Sequence, residues 1–134
     1  MIGKQLGHAD GQVTGTRVLG AEGDAPRVEV SFQASGQLCD VDVTDLGTYI
    51  SVVRPDGSLF GQGHGVVMTA SGGRTSWTGQ GAGKFLGRGA VSWRGAIYYQ
   101  TDVPELAPLN GIAVIYEFQS DESGKTQATY FEWK

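Results

Sequence analysis

Two histidines, one cysteine and fourteen carboxylates limit the chemistry this chain of 134 residues can perform. His8 and His64 lie far apart, and neither has helical or strand spacing to a third ligand. Cys39 has no partner thiol. Zinc needs three or four converging ligands, and no Cys-x-x-Cys or His-x-x-x-His spacing is present, so no metal is expected. His64 joined by an acidic residue from another strand is the alternative to a surface histidine. Asp40 and Asp42 alternate with Val41 and Val43 and read as the solvated side of a strand. Gly79-Gln-Gly-Ala-Gly-Lys84 lacks the spacing of a phosphate loop, and Gly61-Gln-Gly-His-Gly65 fails as a dinucleotide fingerprint, because neither opens a helix whose N-terminus would hold an anion. No cofactor is expected. The carboxylates worth watching are Glu117 and Glu132, each set in an apolar C-terminal strand where a raised pKa would suit acid-base work. Pairing Gln119 with Thr126 would put both on one face, and an outward ion pair of Glu117 with Arg94 is the plainer reading. His64 and Glu117 are the acid-base candidates.

The elements that must position these residues are strands. Short runs rich in Val, Ile, Thr and aromatics alternate with polar residues and are broken by Gly, Asp, Asn and Ser about every ten residues. Strands are expected near 12–20, 27–36, 37–45, 47–54, 58–70, 74–84, 89–101, 111–119 and 126–134. Arg54-Pro-Asp-Gly-Ser58, Ser71-Gly-Gly-Arg74, Gly87-Arg-Gly89 and Asp121–Lys125 carry turn chemistry, which makes most neighbours antiparallel. One short helical turn is expected near 104–109, started by Pro104 and stopped by Pro108. Residues 1–134 therefore read as a single all-β domain, an antiparallel up-and-down β-barrel of about eight strands, with a two-layer sandwich as the other economical solution.

Twenty-two glycines favour the barrel. Gly61, Gly63 and Gly65 stand at i, i+2 and i+4 on one strand, and Gly79, Gly81 and Gly83 repeat the spacing on the next, so each strand presents a row without side chains. Pairing Ala70 with Arg74 sets Gly63 opposite Gly81 and merges the rows into one patch. The opposing apolar set is Val28, Val30, Phe32, Trp77, Val91, Trp93, Ile97, Tyr99, Ile112, Val114, Tyr116, Phe118, Phe131 and Trp133. Such a wall facing glycines leaves space for one ligand lying against Trp77, Trp93, Tyr99 and Tyr116, with Asn110 as a polar handle at the mouth. The alternative is that the rings fill the space the glycines vacate, since interiors pack densely.

Thr75-Ser-Trp-Thr-Gly-Gln-Gly-Ala-Gly83, Trp93-Arg-Gly-Ala-Ile-Tyr-Tyr-Gln-Thr101, Leu106-Ala-Pro-Leu-Asn-Gly111, Tyr116-Glu-Phe118 and Glu132-Trp-Lys134 resemble segments of a functionally uncharacterised bacterial family of short β-barrel proteins. That family is related in shape to allene oxide cyclase-like and lipocalin-like barrels, and the resemblance covers roughly residues 59–134. It implies a closed barrel, often oligomeric, and at most a dry pocket that shapes a reactive substrate; no catalytic residue carries over. The expected function is binding of a small apolar or aromatic molecule in the lumen. The alternatives are a cofactor-free cyclase or isomerase and a structural homo-oligomer. Ten Lys and Arg against fourteen Asp and Glu, a net −4, argue against nucleic acid, and the scattered basic residues offer no membrane anchor. A lone cysteine and no apolar leader place the expected location in the cytoplasm.

Overall fold

Alternation of apolar or glycine positions with polar ones drives this chain into eight strands. The computed structural model describes the backbone of residues 1–134 and every side chain but that of Glu22. The strands are β1 (Ile2–Glu22), β2 (Ala25–Leu38), β3 (Val41–Val53), β4 (Leu59–Thr69), β5 (Arg74–Gly87), β6 (Ala90–Gln100), β7 (Val114–Ser120) and β8 (Lys125–Trp133). Each pairs antiparallel with the next and β8 pairs back onto β1, so the barrel is closed. One end carries the β2–β3 and β4–β5 turns and a 3-10 helix, Pro104–Leu109; the other four turns lie at the far end. Pro104 opens that helix, but Pro108 lies inside it rather than ending it.

Three of the reversals share one design. Arg54 with Ser58, Thr69 with Gly73 and Asp121 with Lys125 close around three residues through N–H to carbonyl bonds of 2.8, 2.8 and 2.9 Å. The last loop residue in each, Gly57, Gly72 or Gly124, has a positive φ that glycine adopts without a Cβ clash.

The structure corrects the strand list in several places. The segments expected at 37–45 and 47–54 are one strand, β3, because Gly47 stays in ladder register opposite Gly65 instead of breaking the chain. Cys39 and Asp40 are not strand residues: with Leu38 opposite Val41, they form a two-residue turn at φ 53° and 64°. The chain N-terminal to residue 12 is also strand. Apart from Leu6, its inward residues there, Gly7, Ala9 and Gly11, are too small to show as an apolar stripe.

Register matters more than strand limits. Met68 pairs with Arg74, so Gly61 faces Gly81 and Gly63 faces Gly79. That register is two residues from the expected one; its parity is the same, and the glycine rows do form one patch. On β8 the expected pairing is wrong by one residue. Ser120, not Gln119, pairs with Thr126, which turns Thr126, Ala128 and Tyr130 inward and leaves Trp133 58% exposed. Glu117 then shares its outward face with Thr129, while Glu132 pairs with the fully buried Val114, so the two carboxylates do not share a face.

The 3-10 helix closes its end of the barrel with Leu106 and Leu109, both 0% exposed, packed in one cluster with Leu38, Val67, Tyr99, Val103 and Val114. Asn110 fixes this plug. Its Oδ1 accepts from the Thr101 N–H at 2.9 Å and its Nδ2 donates to the Thr101 carbonyl at 2.8 Å, a side chain standing in for a strand partner.

Candidate functional site

Five rings from five strands converge in the barrel. Phe32 lies 5.2 Å from Phe118 and 6.5 Å from Trp77, and Tyr49 lies 5.5 Å from Trp93 and 6.1 Å from Phe118, centroid to centroid. Phe32 stacks on Trp77 at 28° and Tyr49 meets Trp93 and Phe118 edge-on, arrangements that suit the ring quadrupoles. The indoles lie against the glycine wall: a Cβ on Gly65 would sit 2.4 Å from the Trp77 ring, and one on Gly61 2.8 Å from the Trp93 ring. Glycine at these positions is therefore the condition for the tryptophans to be inside at all. Much of the space the rows vacate is filled by rings.

A cavity remains among them, lined by Phe32, Asp45, Tyr49, Trp77, Trp93, Ile97, Tyr116, Phe118, Ala128, Tyr130 and the backbone of the glycine rows. Its volume is about 50 Å³. At roughly 10–15 Å³ per water, that is room for a few waters; a cavity of roughly 150 Å³ takes one benzene. A ring-sized ligand must therefore move a side chain.

The polar groups of this cavity are few. Asp45, 5% exposed, accepts a hydrogen bond from Trp77 Nε1 at 2.9 Å through Oδ1. Burial raises its carboxyl from the ordinary 3.8 to about 6, with the Trp77 hydrogen bond pulling the other way. Trp93 is 4% exposed and its Nε1 is a buried donor without a hydrogen-bond partner. That nitrogen lies near Tyr49, whose phenol burial pushes up to about 12, the indole offsetting part of the rise without an aligned bond. Tyr116 Oη donates to the Gln80 carbonyl at 3.2 Å over Gly81, and burial likewise pushes its phenol up to about 12. Tyr99 and Tyr130 are raised further, again chiefly by burial, so every tyrosine of this interior is a neutral hydroxyl at neutral pH.

The structure brings Trp77, Trp93 and Tyr116 together around the cavity and does not bring Tyr99, Asn110, His64 or Glu117 there. Tyr99 is buried in the core toward the plug, and both amide groups of Asn110 are spent on Thr101. His64 is exposed on the outer wall, opposite Thr48 and Thr78. Glu117 is exposed 3.9 Å from Arg94, the outward ion pair anticipated as the plainer reading. Missed entirely is Asp45, although its phase with Val41 and Val43 marks it as inward. Among the described residues, no three of His, Cys, Asp and Glu converge, and no helix is long and apolar enough to cross a membrane.

No protein-family model and no curated protein sequence matches this chain. Solved structures do match its shape. A protein of unknown function from Clostridium acetobutylicum superposes with a TM-score of 0.82 at 12% identity, covering 96% of both chains. A β-barrel-like protein from Acinetobacter baumannii gives 0.82 at 12% identity over 100% of this chain and 96% of that one. An enzyme from Penicillium herquei gives 0.67 at 14% identity over 96% and 92%. The chain thus shares its whole fold with bacterial β-barrel proteins of unknown function.

Proposed function

We propose that the barrel lumen binds a small, flat, largely apolar molecule that carries one hydrogen-bond acceptor. The observation that carries this reading is the cavity walled by aromatic rings, with the Trp93 N–H buried beside it without a hydrogen-bond partner. An orphaned buried donor costs about 1–3 kcal/mol, and a ligand oxygen placed against it would recover that loss. The rings supply flat apolar walls and Asp45 a second polar point, the usual makeup of a small-molecule site. A cofactor-free cyclase or isomerase is the second reading, favoured by one fact: an ionisable side chain, Asp45, faces the cavity.

Tryptophan emission reads this directly. Trp133 is 58% exposed and away from the lumen, so Trp133→Phe leaves Trp77 and Trp93 as reporters. In that background, one- and two-ring ketones should quench saturably. Adding Trp93→Phe, which keeps a ring but removes the donor, should weaken ketones about tenfold, one neutral hydrogen bond, and leave naphthalene unchanged. Quenching that rises linearly with every compound, without saturation, would count against a lumen site.

A further inference from the structure

We infer that the ligand of the lumen is a primary amine bound as its ammonium ion, with Asp45 Oδ2 as the counter-charge and the rings of Phe32, Trp77 and Tyr130 around it. The inference rests on the lumen-binding reading and adds a charge to the ligand. Asp45, 5% exposed, points inward from β3 and lines the cavity. Trp77 Nε1 donates to Oδ1 at 2.9 Å, and among the described residues nothing donates to Oδ2. Neither ion pair of the described residues includes Asp45. Nor does a cationic side chain reach it: every Lys, Arg and His is exposed except Arg27, half-buried at the far end and bonded to the Gly20 carbonyl at 2.8 Å. A buried carboxylate is ordinarily paired, because an isolated charge away from water is costly.

The rings near Asp45 call for the same sign of charge. Gly47 is the next inward position on β3, and a Cβ there would lie 2.5 Å from the Phe32 ring and 2.8 Å from the Trp77 ring. Tyr130 on β8 lines the cavity within reach of the Asp45 charge, which helps to raise its phenol. Aromatic faces carry negative partial charge, so they repel an anion and attract a cation. A metal ion needs several converging ligands, and among the described residues no three of His, Cys, Asp and Glu converge. A guanidinium grips both oxygens of a carboxylate, and here Trp77 holds one of them. An ammonium needs one oxygen and a ring wall. Its head with one methylene is about the size of two waters, so the open volume of about 50 Å³ admits it, and the ring it carries displaces a side chain.

The test compares benzylamine with benzyl alcohol, the same ring without the charge, by saturable quenching in the Trp133→Phe background. Both can donate to Oδ2, and only the amine does so as a cation. At about pH 7.5 benzylamine should bind about tenfold more tightly, the gain of a charged hydrogen bond over a neutral one. Asp45→Asn keeps an oxygen for the Trp77 N–H and should bring benzylamine down to the level of the alcohol, whose own affinity stays unchanged. Far-ultraviolet circular dichroism checks that the variant is folded, and the pH dependence of the parent needs no variant. Between about pH 5 and 7.5 benzylamine stays charged while the Asp45 carboxyl ionises through about 6, so its affinity should climb about tenfold and that of benzyl alcohol should not. The cross-strand neighbours of Asp45 are Ala34 and Val67. The titratable groups around it are Tyr99 on β6 and Tyr130 on β8, with Cys39 coupled to the first and Tyr116 on β7 to the second; burial holds all four protonated, so the profile reports Asp45. Equal affinities for amine and alcohol, a benzylamine affinity that ignores pH, or an Asp45→Asn variant that binds benzylamine as the parent does overturns the inference and leaves lumen binding standing. Absence of saturation with either compound removes both.

Discussion

Asp45 is the residue on which this interior is least comfortable. A carboxylate facing aromatic rings loses hydration, and the single Trp77 bond repays part of that loss, leaving its carboxyl raised from 3.8 to about 6. The sign follows. A group that holds its proton more tightly when folded costs stability once it must ionise. The penalty is absent below about pH 3.8, grows between there and about 6, and is complete above. Its full size is about 3 kcal/mol at 1.36 kcal/mol per pKa step. Urea unfolding of Asp45→Asn beside the parent should show the variant's relative stability rising by about that amount from pH 3.5 to 7.5. A constant difference would mean the carboxyl is hydrated in the folded state. The sequence displays the rings of this site plainly, as Trp77, Trp93 and Tyr116 are large and stand at alternating positions. Asp45 is hidden by the break read between the expected strands 37–45 and 47–54, which leaves the aspartate as the last residue of a strand instead of the middle of β3. Leu46, 43% exposed beside it, inverts the apolar pattern further.

At the scale of elements, hairpin loops decide which side chains face the lumen, because a one-residue slip reverses a whole strand. The β4–β5 glycine rows are legible since either three-residue loop keeps their parity. The β8 face is not. Phe131 and Trp133 look like the inward pair, and only the Asp121 loop sets Tyr130 inward instead. There Asp121 Oδ1 accepts from the Ser123 N–H at 2.9 Å, from Ser123 Oγ at 2.7 Å and from the Lys125 N–H at 3.0 Å. Local hydrogen bonds of this kind leave no mark in hydrophobic periodicity. The Cys39-Asp40 turn is the weakest joint by the same logic, since both residues hold a positive φ. Asn-Gly or Asp-Gly is the usual filling of such a turn. Asp40→Gly should therefore raise stability by about 0.5–1 kcal/mol, relief of strain set against the entropy glycine loses on folding. A shift in the urea midpoint at unchanged slope measures it.

Across the whole molecule, the two ends of the barrel do different work. Toward the plug, Leu106, Leu109 and Val114 are wholly buried in the core cluster. Beyond it, glycine rows and rings leave the cavity lined by Asp45 at the plug side and by Trp93 nearer the far end. The packed plug supplies dispersion contacts that the unfilled space forgoes. Leu106→Ala separates the two roles. Truncating a fully buried leucine costs about 2–5 kcal/mol, so thermal unfolding should move down by many degrees. Ketone affinity measured well below the new midpoint should stay within about twofold of the parent, because Leu106 does not line the ring-walled cavity. A large fall in affinity in folded Leu106→Ala would instead show that the plug sets the shape of the lumen along its full length.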